Sequence, residues 1–370
     1  MNTGRVIALT IFVLIASLPA ISRPEEKTPP PLYPVLVNGK WGYINRQGKI
    51  AIKPQFDDAE DFFNGLAEVK IGERWTFINE SGKTVFARTA AVWGSFSDGV
   101  ICCIMRVGEG GSIKWGYMDK TGQVIIAPQF DYELPFSEGL AAVKLGEKWG
   151  FIDHSGELKI APKFNWGGYF SDGLANIQIN RKAYFIDESG KIVLETNGYE
   201  ADPFSEGLAA VNFGGAWGYI DKTGKVVIKP QFKKAGSFSE GMAQVELNHN
   251  CGYIDNTGKI VIPIQFNLCH DFSEGLTSVR IDTVWLMNDS FYIDKKGNMA
   301  FNLYFSGAHD FQNGIARIEI SPNSLYLIGQ ALILKFREYM TGEKSKYSSD
   351  SYFKIGYIDS SGNYVWPPQN

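Results

Sequence analysis

A chain of 370 residues with a formal net charge of −4 has no basic excess, which excludes the positive face that nucleic acid demands. Forty glycines, 25 phenylalanines, 17 tyrosines and 9 tryptophans make a composition of turn and strand formers. That excludes a helical bundle and points to an all-β protein, while the length exceeds what a single core normally fills unless the chain is a repeat array.

The chain opens with MNTGRVIALTIFVLIASLPAISRPEE, in which one basic residue, Arg5, precedes an apolar run from Val6 to Leu18 and small residues at Ala20 and Ser22. Residues 1–22 are read as an export signal, because the run is short against the roughly 20 residues that span a bilayer. The mature chain is therefore expected to be secreted or periplasmic, at the cell envelope, with no membrane span left after cleavage. Residues 23–34, with PPPLYP at their end, predict a stiff spacer. Residues 35–370 then form one repeat domain.

KWGYIN at Lys40 returns as RWTFIN at Arg74, KWGYMD at Lys114, KWGFID at Lys148 and AWGYID at Ala216. The tryptophan slot falls at 41, 75, 115, 149, 183, 217 and 251, every step but one being 34 residues, with Ala183 and Cys251 in place of Trp. A second marker, FSEG or a variant, recurs with the same period from Gly65 to Gly314. A third, the glycine of DxxG-type turns, occurs nine times from Gly48 to Gly362. About nine copies of a unit of about 34 residues follow.

That period also fits helix pairs, so the residues must decide. In GLAAVKLGEKWGFIDHSGELKIAPKF, Gly139 to Phe164, three short runs of β-branched and aromatic residues are separated by glycine-bearing turns. Each unit is thus expected to hold three antiparallel strands, with a short fourth near FDDAEDF. Asp and Gly of the DxxG turns suit a hairpin better than calcium ligation. Phe56, Phe130, Phe164 and Phe232 are expected to anchor the core with the FSEG phenylalanines Phe136, Phe170, Phe204, Phe238 and Phe272.

Carrying these markers in this order, the chain resembles the bacterial WG-repeat family, also called KWG repeats, over roughly residues 40–367. The resemblance implies a repeat carrier without a shared reaction, so no catalytic residue is transferred. The order of turn, inner strand, middle strand ending in Asp and outer strand parallels a WD-type blade. A β-propeller-like ring is favoured over an open β-solenoid.

Length changes mark the candidate binding face. The insertions at MRVGEGGSIKW, IDTVWLMNDSF and Ser321–Asp350 all enter the connection between the LAAV-type and WGYI-type strands, so they are expected on one face. Residues 321–353 predict an amphipathic helix followed by a charged loop: Ser321 caps, Pro322 follows, and Leu325, Ile328, Leu332, Phe336 and Tyr339 recur at helical spacing before Gly342. Repeat tryptophans are expected in the core. The candidate binding surface is Trp93, Trp166, Trp285, Phe336 and Tyr339, of which the first three lie off the repeat frame.

Catalytic chemistry finds no support. His154, His249, His270 and His309 sit at unrelated repeat positions without metal-ligand spacing, and no phosphate loop or nucleophile elbow occurs. No cofactor or metal is expected. The FSEG carboxylates are expected to serve their own turns. Cys251 and Cys269 could bridge or simply fill the core. The sequence therefore predicts a non-catalytic scaffold for an unidentified protein or peptide, with a cell-wall glycan as the alternative and a propeller hydrolase as a poor third.

Overall fold

A computed structural model describes residues 31–87, 91–106, 112–281, 289–320 and 354–368, with the side chains of 91–95 and 106 left aside. Among the described residues there are nine antiparallel sheets and no helix; seven sheets have four strands and two have three. Each sheet is one blade. Blade 4 is typical, with strands Tyr132–Glu133, Ala141–Leu145, Lys148–Ile152 and Leu158–Phe164 paired in chain order. The two-residue first strand is the short fourth one expected from FDDAEDF. The helix expected at 321–342 falls outside the described residues.

Local chemistry sets each connection. At the FSEG turn both central residues have positive φ, as in Glu138 (52°) and Gly139 (83°), between Ser137 and Leu140, which bridge. Two left-handed residues in a two-residue loop make the hairpin whose twist matches its strands. At the DxxG turn, the Asp119 carboxylate accepts from the backbone N–H groups of Thr121 and Gln123 and from the Thr121 hydroxyl. Where a blade has both, these two turns lie at the same end. The hairpin joining the second and third strands lies at the other.

The glycine of the WG pair is required by the strand beside it. Trp149 pairs with Phe164 but Phe151 pairs with Ile160, so the fourth strand bulges by two residues opposite Gly150. A Cβ on Gly150 would lie 2.5 Å from the Ile160 carbonyl oxygen and 2.8 Å from the Pro162 nitrogen. Pro162 sits within that bulge, where a residue need not donate to the ladder.

Blades stack face to face, and the core lies between them. Nine buried clusters each join residues of two neighbouring blades, such as Tyr219, Ile228 and Phe232 of blade 6 with Phe238, Ala243 and Val245 of blade 7. The expected phenylalanine anchors are all buried. Nine blades in an open row share eight interfaces; the ninth exists only if the row closes. That ninth cluster joins Val35 and Ile44 of blade 1 to Ile315 and Tyr357 of blade 9. The array is a ring, not an open solenoid.

The closing bond repeats the internal ones. The buried hydroxyls of Tyr43, Tyr117, Tyr219, Tyr253 and Tyr292 donate to Glu60, Leu134, Gly236, His270 and His309 carbonyls in the next blade. Tyr357 donates likewise to the Pro34 carbonyl at 2.9 Å. Pro34 belongs to the strand Leu32–Val37, so the last three residues of the expected spacer are part of blade 1. Blade 1 lacks the short first strand and blade 8 the fourth, in keeping with the missing proline of that copy.

Candidate binding rim

The turn end of the ring is committed to joining blades. The Ser137, Ser171, Ser205 and Ser239 hydroxyls donate to Phe170, Phe204, Phe238 and Phe272 carbonyls of the following blade. The FSEG carboxylates of Asp98, Glu138, Asp172, Glu206, Glu240 and Glu274 each accept from the turn-glycine N–H of the next blade, at 2.7–3.2 Å. They are structural acceptors, but for the turn of the next blade and not for their own, the one expected from the sequence. His154 stacks on Phe136 with Nε2 3.1 Å from the Asp98 carbonyl, while Lys222 and Lys295 reach the equivalent Asp172 and Glu240 carbonyls.

Where blades 9, 1, 2 and 3 meet, the FSEG pattern lapses, with Phe63 in a serine slot and Asn64 and Asn313 in carboxylate slots. A hollow of about 700 Å³ opens there, lined by Glu60, Asp61, Phe63, Asp310 and Arg317 among others. Its acidic groups do not converge on a metal: no group of three His, Cys, Asp or Glu side chains among the described residues could hold one.

The opposite rim, formed by the hairpins between second and third strands, differs from blade to blade. Ordinary hairpins close on Leu145 opposite Lys148 or Leu247 opposite Asn250. Those carrying insertions close on Arg106 opposite Ile113 in blade 3, Arg280 opposite Ser290 in blade 8, and Ile320 opposite Lys354 in blade 9. All three insertions thus leave from equivalent strand ends on one rim. The residues inside them, including Trp285, Phe336 and Tyr339, lie outside the described residues.

Trp93 lies in the first strand of blade 3 opposite Cys102. Trp166 stands in the first strand of blade 5, 37 % exposed, at the hairpin rim. Four of the five repeat tryptophans pack between blades: Trp149 is buried, and Trp41, Trp115 and Trp217 lie half-buried against neighbouring clusters. Two exposed aromatics not singled out from the sequence join Trp166 on this rim: Tyr132 of blade 4 and Tyr199 at the entry to blade 6. The available signal was position, since other copies place Asp58 or Lys234 where Tyr132 and Trp166 stand.

Cysteines divide by blade. Cys251 of blade 7 and Cys269 of blade 8 form a disulfide across the interface, with Cα atoms 6.1 Å apart. Cys102 and Cys103 are free and face opposite sides of their strand, in the clusters toward blades 4 and 2. Burial raises both thiols, that of Cys103 to about 11. Glu133 beside Cys102 is only 4 % exposed, and burial pushes its carboxyl above the ordinary range despite hydrogen bonds to Cys102 and Tyr117.

One solved structure agrees with this geometry. A eukaryotic initiation factor crystal structure aligns over 90 % of this chain and 95 % of its own, with TM-score 0.58 and 12 % identity, a likeness of fold alone. Porphyromonas gingivalis dipeptidyl peptidase 4 aligns over 84 % of this chain and 59 % of its own, at TM-score 0.49 and 10 % identity. Kluyveromyces lactis Hsv2 aligns over 71 % and 92 %, at TM-score 0.37 and 11 % identity. No curated protein matches the sequence. The profile of the WG containing repeat matches residues 41–75, 115–149, 149–182, 185–215, 217–250, 252–285 and 291–321, more than half of the chain, and the chain belongs to the WG-repeat family.

Proposed function

We propose that the chain is a non-catalytic, exported scaffold that docks a protein or peptide at the cell envelope through its hairpin rim. One observation carries this reading: the three length-variable connections all spring from equivalent strand ends of blades 3, 8 and 9, so that varied loops share one rim of a rigid ring. Export is supported by the signal-like residues 1–22 and by the Cys251–Cys269 disulfide, a bond that persists in oxidising compartments. The histidines support a scaffold over an enzyme: His154 and His309 are engaged with Asp98 and Glu319 on separate blades rather than gathered at one point.

The test compares residues 23–370 with the same chain lacking 321–350, both tagged and cross-linked in envelope extract. A partner recovered only by the full chain, and binding it again when purified, is the expected result. Equal recovery by both forms, or no partner that rebinds, sinks the reading.

A further inference from the structure

On the hairpin rim, the stretch from blade 3 to blade 6 carries a row of aromatic residues, in ring contact from Trp115 through Tyr132 to Trp149 and continued by Trp166 and Tyr199. Tyr132 sits between Trp115 and Trp149, with ring centroids 5.2 and 5.9 Å away. A Cβ on Gly167, next to Trp166, would lie 3.3 Å from Trp149 Cβ. Trp166 is paired across the sheet with Gln178, whose side-chain amide donates at 2.9 Å to the Tyr199 carbonyl. Along this row Tyr132 is 47 % exposed, Trp166 37 % and Tyr199 55 %.

The row coincides with a change in charge. At the same positions blade 2 places Asp57 and Asp58 beside Lys70, blade 7 places Lys233 and Lys234 beside Glu246, and blade 4 still sets Asp131 beside Lys144. Blade 5 instead has Asn165 and Trp166 beside Gln178, and blade 6 has Tyr199 beside Asn212. Ionic groups are thus replaced by amides where the aromatic faces are most open, with Glu200, bonded by Asn212, the carboxylate left at one end.

From this juxtaposition we infer that blades 4–6 carry a binding site for a neutral glycan chain. A pyranose ring has an apolar C–H face and a rim of hydroxyls; it needs flat aromatic surface and uncharged groups that both donate and accept, as amides do. Charge on the rim between Trp166 and Tyr199 is confined to the blade 5 hairpin, where Arg181 is exposed and Lys182 stands 3.8 Å from Glu195, while the groups beside Trp166 are the uncharged Asn165 and Gln178. A peptide adding as a strand would need open backbone groups, yet the N–H groups of Asn165 and Tyr199 are already bonded to the Gln178 and Asn212 carbonyls. The site goes beyond protein docking and does not depend on it, because blades 4–6 bear none of the three insertions.

The probes are cellohexaose and chitohexaose, both neutral β-1,4-linked chains, with a proline-rich decapeptide as contrast, titrated into residues 23–370 and followed by tryptophan fluorescence and calorimetry. At least one hexaose should bind saturably. Trp166→Ala and Tyr199→Ala should each weaken it about tenfold, while Ile260→Ala, exposed on blade 7, and deletion of 321–350 leave it unchanged. Since both aromatics are exposed, unchanged melting curves for the variants check that the ring stays folded; if one melts early, Trp166→Phe replaces it and should keep most of the affinity. Binding of neither hexaose, binding untouched by both substitutions, or binding of the peptide alone overturns the proposal. Loss of protein docking with glycan binding intact strikes only the preceding reading.

Discussion

Cysteine at 251 occupies the slot that holds tryptophan in five other copies, and Cys269 the slot that holds alanine at 59, 201 and 235. The interface between blades 7 and 8 has thus exchanged an indole for a disulfide, and a hollow of about 340 Å³ lies beside it, bordered by Lys234, Gln244, His249 and Leu268. Replacing Cys269 with Ala removes the cross-link over 18 residues, for which loop-closure entropy gives about 3 kcal/mol. Adding Cys251→Trp restores the combination of Trp217 and Ala235, which both pack against the cluster at the preceding interface. An indole half-buried there removes roughly 100 Å² from water, worth about 2.5 kcal/mol at about 25 cal/mol per Å². The double variant should therefore unfold within about 1 kcal/mol of the natural chain. Urea midpoints with and without reductant, and hydrogen exchange in residues 242–294, provide the assay. Reductant should weaken the natural chain by the same amount as Cys269→Ala and leave the double variant unmoved. A natural chain indifferent to reductant, or a double variant weaker than the single one, would refute the idea that the bridge replaces the indole.

Three further outcomes follow from single interactions. Glu133→Gln should stabilise the protein at neutral pH: burial raises the folded carboxyl above its unfolded value, so folding binds a proton and native stability falls as pH rises past the ordinary carboxylate range. The advantage should fade in melts taken below about pH 4, where both states are protonated. Tyr357→Phe leaves the Pro34 carbonyl without its donor and should cost about 1–2 kcal/mol, read as faster amide exchange in 32–45 and 354–366 with blade 5 unchanged. Gly218→Ala places a Cβ 2.6 Å from the Ile228 carbonyl oxygen, and since backbone cannot step aside cheaply, a loss of about 2–3 kcal/mol is expected in denaturant melts.

Much of the ring was legible because period and residue chemistry agree. The spacing of Gly65 through Gly314 located every FSEG turn, and the aspartates of DxxG predicted the bonds that Asp119 and Asp221 make. A closed ring was the favoured expectation, but the contact that closes it was not legible, since Tyr357 bonding Pro34 uses the same residue types as Tyr43 bonding Glu60, and local sequence does not say which blade comes next. The expected spacer exceeds the observed one by three residues because proline density resembles linker, whereas Pro34 lies in a strand to which it contributes its carbonyl and not an N–H. Trp166 was found because it departs from the frame. Tyr132 and Tyr199 were passed over because tyrosine is also the buried residue of the WGYI strand, so the residue type alone did not separate a core ring from an exposed one.

The two rims of the ring are under opposite constraints, and this explains where variation has accumulated. At the turn rim, a change at Glu206 would leave the N–H of Gly241 unpaired, and a change at Ser205 would do the same to the Phe238 carbonyl, so neither residue is free of the neighbouring blade. The pattern relaxes there only around the junction of blades 9, 1 and 2, where blade 1 brings no FSEG turn to be joined. At the hairpin rim the second and third strands are already paired to their ends, as in Ile179 opposite Lys182, and whatever lies beyond that pair adds loop without breaking an inter-blade bond. Lengthening such a loop costs little, because closure entropy grows only slowly with length. Insertions therefore leave blades 3, 8 and 9 from the same rim that bears the exposed aromatics of blades 4–6 for one physical reason: it is the side of the ring on which sequence can change without opening it.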